Sequence, residues 1–247
     1  MVAETETETV TLHALSDCPL ESDGHDLAWV LGAYVNENSP VVEGILQDAL
    51  KAGIVKHFSG YQADEQGVRD QVFAIWFVLQ RRGLKYSDVA TPSAGADRVA
   101  CQTIRPLRDS LAYHQANCVD GSLLFASAFR KIGLRTLLIL TPNHCFVAVG
   151  RNARGSILTV ESTQLGLDDP LGDHHPTGAA TPFEREQARH SFDRAVEFWP
   201  QQSRLFSTVV VQNRHQLIQE MDAMDQELTK FRFLDLETMR NEGLNPL

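Results

Sequence analysis

The sequence predicts an α+β fold in which helices pack on an antiparallel sheet. One observation behind this prediction is the helical spacing of apolar residues within residues 116–134: Leu124, Phe125, Ala128, Phe129 and Ile132. A second observation is that three apolar segments follow at once, residues 134–140, 144–149 and 156–162, separated by short turn-forming sequences. Apolar segments joined by such short turns are typical of antiparallel strands.

The N-terminal part is predicted to be helical over residues 24–83. It is preceded by residues 1–15, which are predicted to be a disordered acidic tail because residues 1–11 contain alternating Glu and Thr and lack core-forming side chains. Helices are predicted over residues 26–35, 40–50 and 64–82, because each has apolar residues on one face and a breaking or capping residue beside it.

The remaining chain is predicted to continue the same domain, which spans residues 16–247. The central part, residues 84–170, contains the helix and strands described above, a flexible loop at 91–97 and a short helix at 107–114. The C-terminal part, residues 182–247, is predicted to be helical. Its segments are helices at 183–199, 212–230 and 234–240, and a stretch at 205–211 whose pattern fits either a strand or a helix start.

Composition narrows the classes of protein to consider. With 247 residues and 43% hydrophobic content, the chain is long enough for one substantial core, and its net charge of -10 disfavours nucleic acid or an anionic membrane as the partner. The four cysteines show no C-x-x-C spacing, which favours a reducing compartment. No long apolar run or basic leader is present in the sequence, so we expect neither a membrane span nor a signal peptide, and a cytoplasmic location.

The first candidate for chemistry is Cys118, at the predicted start of the 116–134 helix. Asn117 is a good N-cap, so Cys118 is expected in the first turn. The free backbone N–H groups and the positive end of the helix dipole favour a thiolate there, and the thiolate is the form of cysteine that attacks a carbonyl carbon.

The second candidate is a pair on neighbouring strands, His144 and Glu161. If Gly150 pairs with Gly155 across a four-residue loop, His144 and Glu161 face each other directly, with Cβ atoms about 4.5–5.5 Å apart. A carboxylate at that distance can accept a hydrogen bond from one imidazole nitrogen and leave the other nitrogen free to take a thiol proton.

These segments together resemble a known family. The sequences N-C-V-D-G at Cys118, R-K-I-G-L at the helix end, P-N-H-C-F at His144 and V-E-S-T at Glu161 are similar to the transglutaminase-like family of the papain-like cysteine protease superfamily. The resemblance covers roughly residues 61–164 and implies a papain-like fold with a Cys, His, acid triad in that order. Glu161 stands where the family usually has Asp, so we expect its strand to lie slightly further from the histidine, and Cys145 stands where many members have a small residue.

The resemblance implies a cysteine-dependent hydrolase or acyltransferase that cleaves peptide, isopeptide or other amide bonds through an acyl-enzyme, with a peptide or protein substrate and no cofactor. A hydrolase is favoured because the location is expected to be intracellular and no calcium-loop pattern is present. Two alternatives stay open: a catalytically inactive interaction module with the same fold, and a small-molecule amidase or acyltransferase of the arylamine type.

An acyl-transfer site also needs hydrogen-bond donors for the carbonyl oxygen. The Cys118 backbone N–H is the first candidate, and the second is a side chain among Gln102, Gln115 and Asn117. Papain-like enzymes often use a glutamine upstream of the cysteine, which favours Gln102. Asp120 and Gly121 are interpreted as structural residues of the helix start.

A metal site is the competing interpretation of the same residues. The possible zinc ligands Cys101, Cys118, His144 and Cys145 follow no familiar spacing, and the alternation along a strand turns Cys145 away from His144. We therefore interpret Cys101 and Cys145 as structural residues. The Asp173-His174-His175 sequence lies in a segment rich in Gly, Pro and Asp and is interpreted as a solvated loop, so no metal is expected.

Overall fold

The computed structural model describes residues 14–88, 99–151, 156–167, 178–199 and 231–247. The α-helices are α1 (Pro40–Ala52), α2 (Glu65–Arg81), α3 (Leu107–Ala112), α4 (Cys118–Lys131), α5 (Pro182–Glu197) and α6 (Leu236–Asn241), and 3-10 turns occupy Ala28–Tyr34, Gly60–Gln62 and Ser162–Gln164. The strands are β1 (Asp17–Ser22), β2 (His25–Asp26), β3 (Lys85–Tyr86), β4 (Val99–Thr103), β5 (Gln115–Ala116), β6 (Thr136–Thr141), β7 (His144–Gly150), β8 (Ile157–Val160) and β9 (Arg232–Asp235).

The main sheet has the strand order β8-β7-β6-β9, and every neighbouring pair in it is antiparallel. Its strands β6, β7 and β8 are the three apolar segments predicted from the sequence. The prediction of a mixed helix and strand fold with an antiparallel sheet is therefore confirmed. A second antiparallel sheet has the order β2-β1-β4, and β3 and β5 form a short parallel pair.

Helix α4 covers one face of the main sheet. Cys145, Val147 and Val149 belong to the large core on the α4 side, whereas Phe146 and Ala148 belong to a smaller apolar cluster on the other face. This division follows from the two-residue period of a strand. It confirms that Cys145 is a buried core residue on the face opposite to its neighbour His144.

The helical layer is held together by α2, which is buried along nearly its whole length. The Trp76 ring of α2 stacks on Phe125 of α4, with ring centroids 5.6 Å apart, and its indole Nε1 donates to Ser191 Oγ of α5 at 3.0 Å. The inward-facing residues predicted for this helix are buried: Val68, Val72, Ile75, Trp76 and Leu79. None of the helices that the structure describes is long and apolar enough to cross a membrane.

Several predicted elements differ in the structure. Residues 28–34 form a 3-10 turn rather than an α-helix, and strands β1, β2 and β9 were not predicted. The Asp23-Gly24 turn between β1 and β2 has positive φ at both residues, a hairpin signal that was readable in the sequence. The predictions for the N-terminal tail up to residue 13, the loop at 91–97 and residues 205–230 lie outside the described residues.

The predicted register of the β7–β8 hairpin is wrong by two residues. Gly150 pairs with Ile157 rather than with Gly155, so the loop between the strands is longer than the predicted four residues. Continuing this register by one step places Glu161 beside Phe146 rather than His144. A shift of two keeps every side chain on its predicted face, because side chains alternate with a period of two.

One turn makes a sharp test of this packing. Gly60 has φ +57, its N–H donates to Gln71 Oε1 at 2.8 Å, and a Cβ built on it would lie 2.3 Å from the Ile132 carbonyl oxygen. We expect Gly60→Ala to lower the free energy of unfolding by about 2–5 kcal/mol, since left-handed strain and overpacking add.

The control is Gly24→Ala, where φ is +79 but the added Cβ meets nothing within 4 Å. This variant should lose only the left-handed strain, about 1–2 kcal/mol. Urea unfolding measures the free energy of unfolding of both variants. Equal decreases in Gly60→Ala and Gly24→Ala would contradict the close approach at Gly60.

Candidate active site

The candidate nucleophile Cys118 is the first residue of α4, as predicted. Asn117 caps the helix, because its Oδ1 accepts hydrogen bonds from the backbone N–H of Val119 at 2.9 Å and of Asp120 at 2.8 Å. The Cys118 N–H belongs to the first turn, whose amides have no partner inside the helix. The thiol is partly exposed, so it is accessible to a reagent or substrate.

The imidazole of His144 lies between Cys118 and Glu161. Its Nε2 is 2.8 Å from Glu161 Oε2, and the Cys118 side chain is near enough to the ring to raise its pKa. Because Glu161 occupies Nε2, Nδ1 is the nitrogen left for the thiol. The structure therefore brings together the three residues that the sequence proposed for a triad.

The carboxylate of Glu161 is fully buried and accepts four hydrogen bonds. Oε2 accepts from His144 Nε2 and from the indole Nε1 of Trp199 at 2.9 Å. Oε1 accepts from the Thr163 backbone N–H at 3.0 Å and from the Thr163 hydroxyl at 2.7 Å. Burial alone raises the pKa of this carboxyl, but the hydrogen bonds and charge of His144, together with Thr163, outweigh burial and hold the pKa below its usual value.

The length of Glu161 explains how it reaches His144 in spite of the register. Glu161 follows the last residue of β8. In the β7–β8 register it lies opposite Phe146, and His144 is two residues further along β7 on the same face of the sheet. Such diagonal neighbours lie about 7–8 Å apart, within reach of long side chains. The extra methylene of Glu relative to Asp therefore bridges a diagonal offset, where the sequence argument expected a directly opposite pair.

Trp199 is a site residue that the sequence analysis missed; it is the last residue of the helix predicted at 183–199. It lies just after α5, and its ring stacks on Phe146 with centroids 4.8 Å apart and an interplanar angle of 12°. The His144 ring is 6.1 Å from the same indole. Trp199 therefore supplies a donor to the carboxylate and an aromatic wall beside the imidazole. No local pattern marks it, since its role depends on where α5 ends.

The charges around His144 favour its protonated form. Burial of the ring lowers its pKa, but the hydrogen bonds and negative charges of Cys118 and Glu161 together exceed that effect and raise the pKa of His144 to about 10. A protonated imidazole beside a cysteine side chain is an arrangement that can activate the sulfur as a nucleophile.

Short contacts hold the start of α4 against the sheet. The Ser122 hydroxyl lies 2.7 Å from the Cys118 carbonyl oxygen and 3.1 Å from that of Cys145. A Cβ on Gly121 would lie 2.9 Å from both side-chain atoms of Ser162, so Gly121 permits a close approach, as predicted. Asp120 is buried and accepts from the Arg105 N–H at 2.8 Å, which ties the helix start to the segment before α3.

Of the three side chains proposed as oxyanion donors, the favoured Gln102 is engaged elsewhere. Gln102 lies on β4 beside Cys18 of β1, and its Nε2 donates to the Thr103 carbonyl oxygen at 2.9 Å. The cap of α4 uses the Asn117 oxygen and leaves the role of its amide nitrogen unassigned, as is the role of the Gln115 side chain, so a second donor to the acyl oxygen is still to be assigned.

The structure gives no support to the metal interpretation. Within the described ranges, no group of three or more His, Cys, Asp or Glu side chains is placed to hold a metal ion. All four cysteines are free, and burial followed by the nearby Cys118 charge raises the pKa of the Cys145 thiol. Residues 173–175 lie outside the part of the chain that the structure describes.

No protein-family model, curated protein or solved structure was found to match the chain. The assignment to the transglutaminase-like family is therefore a proposal that rests on the residues and on the geometry of the site.

The raised pKa of His144 predicts how stability depends on pH. The folded protein holds the His144 proton up to about pH 10, whereas a histidine in the unfolded chain releases it near pH 6.5. The stabilisation from His144 is therefore complete below pH 6.5 and is lost as the pH rises toward 10. We expect the difference in free energy of unfolding between wild type and His144→Gln to shrink steadily across this window. A difference that stays constant in urea unfolding at pH 6, 8 and 10 would contradict the assignment.

Trp199→Phe tests the indole hydrogen bond to the buried carboxylate. The variant keeps an aromatic ring on Phe146 but removes the Nε1 donor, so we expect a loss of about 1.5–3 kcal/mol in the free energy of unfolding. Trp29→Phe is the matched control, because Trp29 is 50% exposed and should change by less than about 0.5 kcal/mol. Similar losses in the two variants would show that the Trp199 donor is not needed.

Proposed function

We propose that this protein is a cysteine-dependent hydrolase or acyltransferase of the transglutaminase-like type, with a peptide or protein amide as its substrate. The observation that supports this proposal most strongly is the imidazole of His144, which hydrogen-bonds a fully buried Glu161 carboxylate and whose pKa is raised by the nearby Cys118 side chain as well as by Glu161. A buried ion pair with all carboxylate acceptor positions filled orients the ring and favours its charged form.

In the proposed mechanism the Cys118 proton already lies on His144 Nδ1 before substrate binds, so the sulfur is present as a thiolate. The thiolate then attacks the amide carbonyl carbon, a C–S bond forms, and the carbonyl π electrons move onto oxygen. When the tetrahedral intermediate collapses, the C–N bond breaks and His144 returns its proton to the leaving amine. Water or another amine then attacks the thioester, which gives hydrolysis or transfer, and Cys118 is regenerated.

The departure from the family pattern is compatible with this chemistry. Glu161 replaces the usual Asp, and its added length matches the diagonal offset between β7 and β8. We place the site within one transglutaminase-like domain, residues 16–247, with a papain-like arrangement of α4 on the main sheet. Because all four cysteines are free, we infer a reducing compartment such as the cytoplasm.

The pH dependence of Cys118 alkylation tests the proposal directly. Cys18 and Cys145 are buried, so a Cys101→Ser background leaves Cys118 as the one reactive thiol. A free thiol has a pKa near 8.5 and loses reactivity about tenfold per pH unit below it. We expect iodoacetamide to modify Cys118 at nearly constant rate from pH 8 down to below pH 7, because a thiolate–imidazolium pair persists there.

Substitutions at the site distinguish an assembled Cys-His-Glu triad from a catalytically inactive interaction module. His144→Ala should abolish reactivity below pH 7, and Glu161→Gln should weaken it, whereas His57→Ala, at an exposed histidine, should leave the profile unchanged. If Cys118 titrates like a free thiol and ignores both site substitutions, the triad is not assembled. The catalytically inactive interaction module would then be the better interpretation.

A further inference from the structure

A tyrosine lies next to the nucleophile on a strand that the sequence analysis did not connect with it. Strand β3 runs parallel to β5, which ends two residues before Cys118, and Tyr86 pairs with Ala116 in this register. Two backbone hydrogen bonds fix the pairing: Lys85 N–H donates to His114 O at 3.0 Å, and Ser87 N–H donates to Ala116 O at 3.0 Å. Tyr86 is therefore held within one strand spacing of the chain that leads into α4.

The opposite edge of β3 is held by the turn that follows Glu161. Tyr86 N–H donates to the Leu165 carbonyl oxygen at 3.2 Å. A Cβ on Gly166 would lie 2.8 Å from Lys85 Cγ and 2.9 Å from the Leu84 carbonyl oxygen. The chain at Gly166 is therefore in close contact with residues 84 and 85. Strand β3 therefore lies between residues 114–116, which precede Cys118, and residues 165–166, which follow Glu161.

The phenol is partly open to solvent and stays protonated. The Tyr86 side chain belongs to a residue that is 37% exposed, so a substrate can reach it. Partial burial, followed by the negative charges of Cys118, Asp88 and Glu161, raises the pKa of Tyr86. At neutral pH the hydroxyl is consequently a hydrogen-bond donor, and it lies in the field of both the thiol and the carboxylate of the site.

We propose that Tyr86 is a catalytic residue whose hydroxyl donates a hydrogen bond to the acyl oxygen during attack by Cys118. Together with the Cys118 backbone N–H, it gives the acyl oxygen two donors, and it takes the place expected of Gln102, whose Nε2 donates to the Thr103 carbonyl oxygen instead. As the C–S bond forms, the carbonyl π electrons become an oxyanion lone pair, which accepts the hydrogen bond without taking the proton. This inference rests on the proposed cysteine acyl-transfer function.

The test compares two reagents that attack the same sulfur. Iodoacetamide alkylates Cys118 by displacement of iodide and forms no oxyanion, whereas p-nitrophenyl acetate acylates it through a tetrahedral oxyanion and releases p-nitrophenolate. Both rates are measured on the full chain in the Cys101→Ser background, and the signal of Cys118→Ser is subtracted. Removing one oxyanion donor slows acyl transfer by roughly 10²–10³-fold.

We expect Tyr86→Phe to slow acylation about 10²-fold and to leave the alkylation rate unchanged, because the ring is kept and only the hydroxyl is lost. Tyr61→Phe, at a tyrosine that is 76% exposed, should change neither rate. Two results would overturn the role of Tyr86 while leaving the proposed function intact. One is an unchanged acylation rate in Tyr86→Phe, and the other is an equal slowing of acylation and alkylation. A wild-type protein without Cys118-dependent acylation would overturn the proposed function, and the Tyr86 inference with it.

Discussion

The buried carboxylate of Glu161 is the constraint on which the site depends. A charge removed from water is destabilising unless its acceptor positions are filled, and here His144, Thr163 and Trp199 fill all of them. These donors come from β7, from the turn after β8 and from the end of α5. Satisfying one carboxylate therefore fixes three elements relative to one another, and it keeps a negative charge beside the imidazole.

The same contact determines how a proton can move at the site. Because Nε2 of His144 is committed to Glu161, Nδ1 is the nitrogen that exchanges a proton with Cys118 in the proposed mechanism. Helix α4 presents that thiol at its N-terminus, where unpaired amides favour negative charge, and Ser122 holds this end of the helix against β7. The charge pattern and the position of the nucleophile thus reinforce each other.

What the sequence could predict here was set by local periodicity. The cap at Asn117, the buried helix α4 and the shared face of His144 and Glu161 all follow from spacings of two or of three and four residues. The absolute register of β7 and β8 depends on the length of the connecting loop, which periodicity does not fix, and it was wrong by two residues. The face was right because an even shift preserves it, and the extra methylene of Glu161 made up the distance.

The residues that the sequence analysis missed come from pairings between distant segments. The parallel β3–β5 pair places Tyr86 beside Ala116, two residues before Cys118. Trp199 reaches Glu161 because the capping box at Thr181 begins α5, Ser191 anchors that helix to Trp76, and the Ala195 carbonyl oxygen accepts from the Glu161 N–H at 3.1 Å. The backbone of Glu161 is thus bonded to the same helix that delivers the indole to its side chain. Helix α5 and the residue that follows it therefore act on Glu161 twice, at its backbone N–H through Ala195 and at its side chain through Trp199.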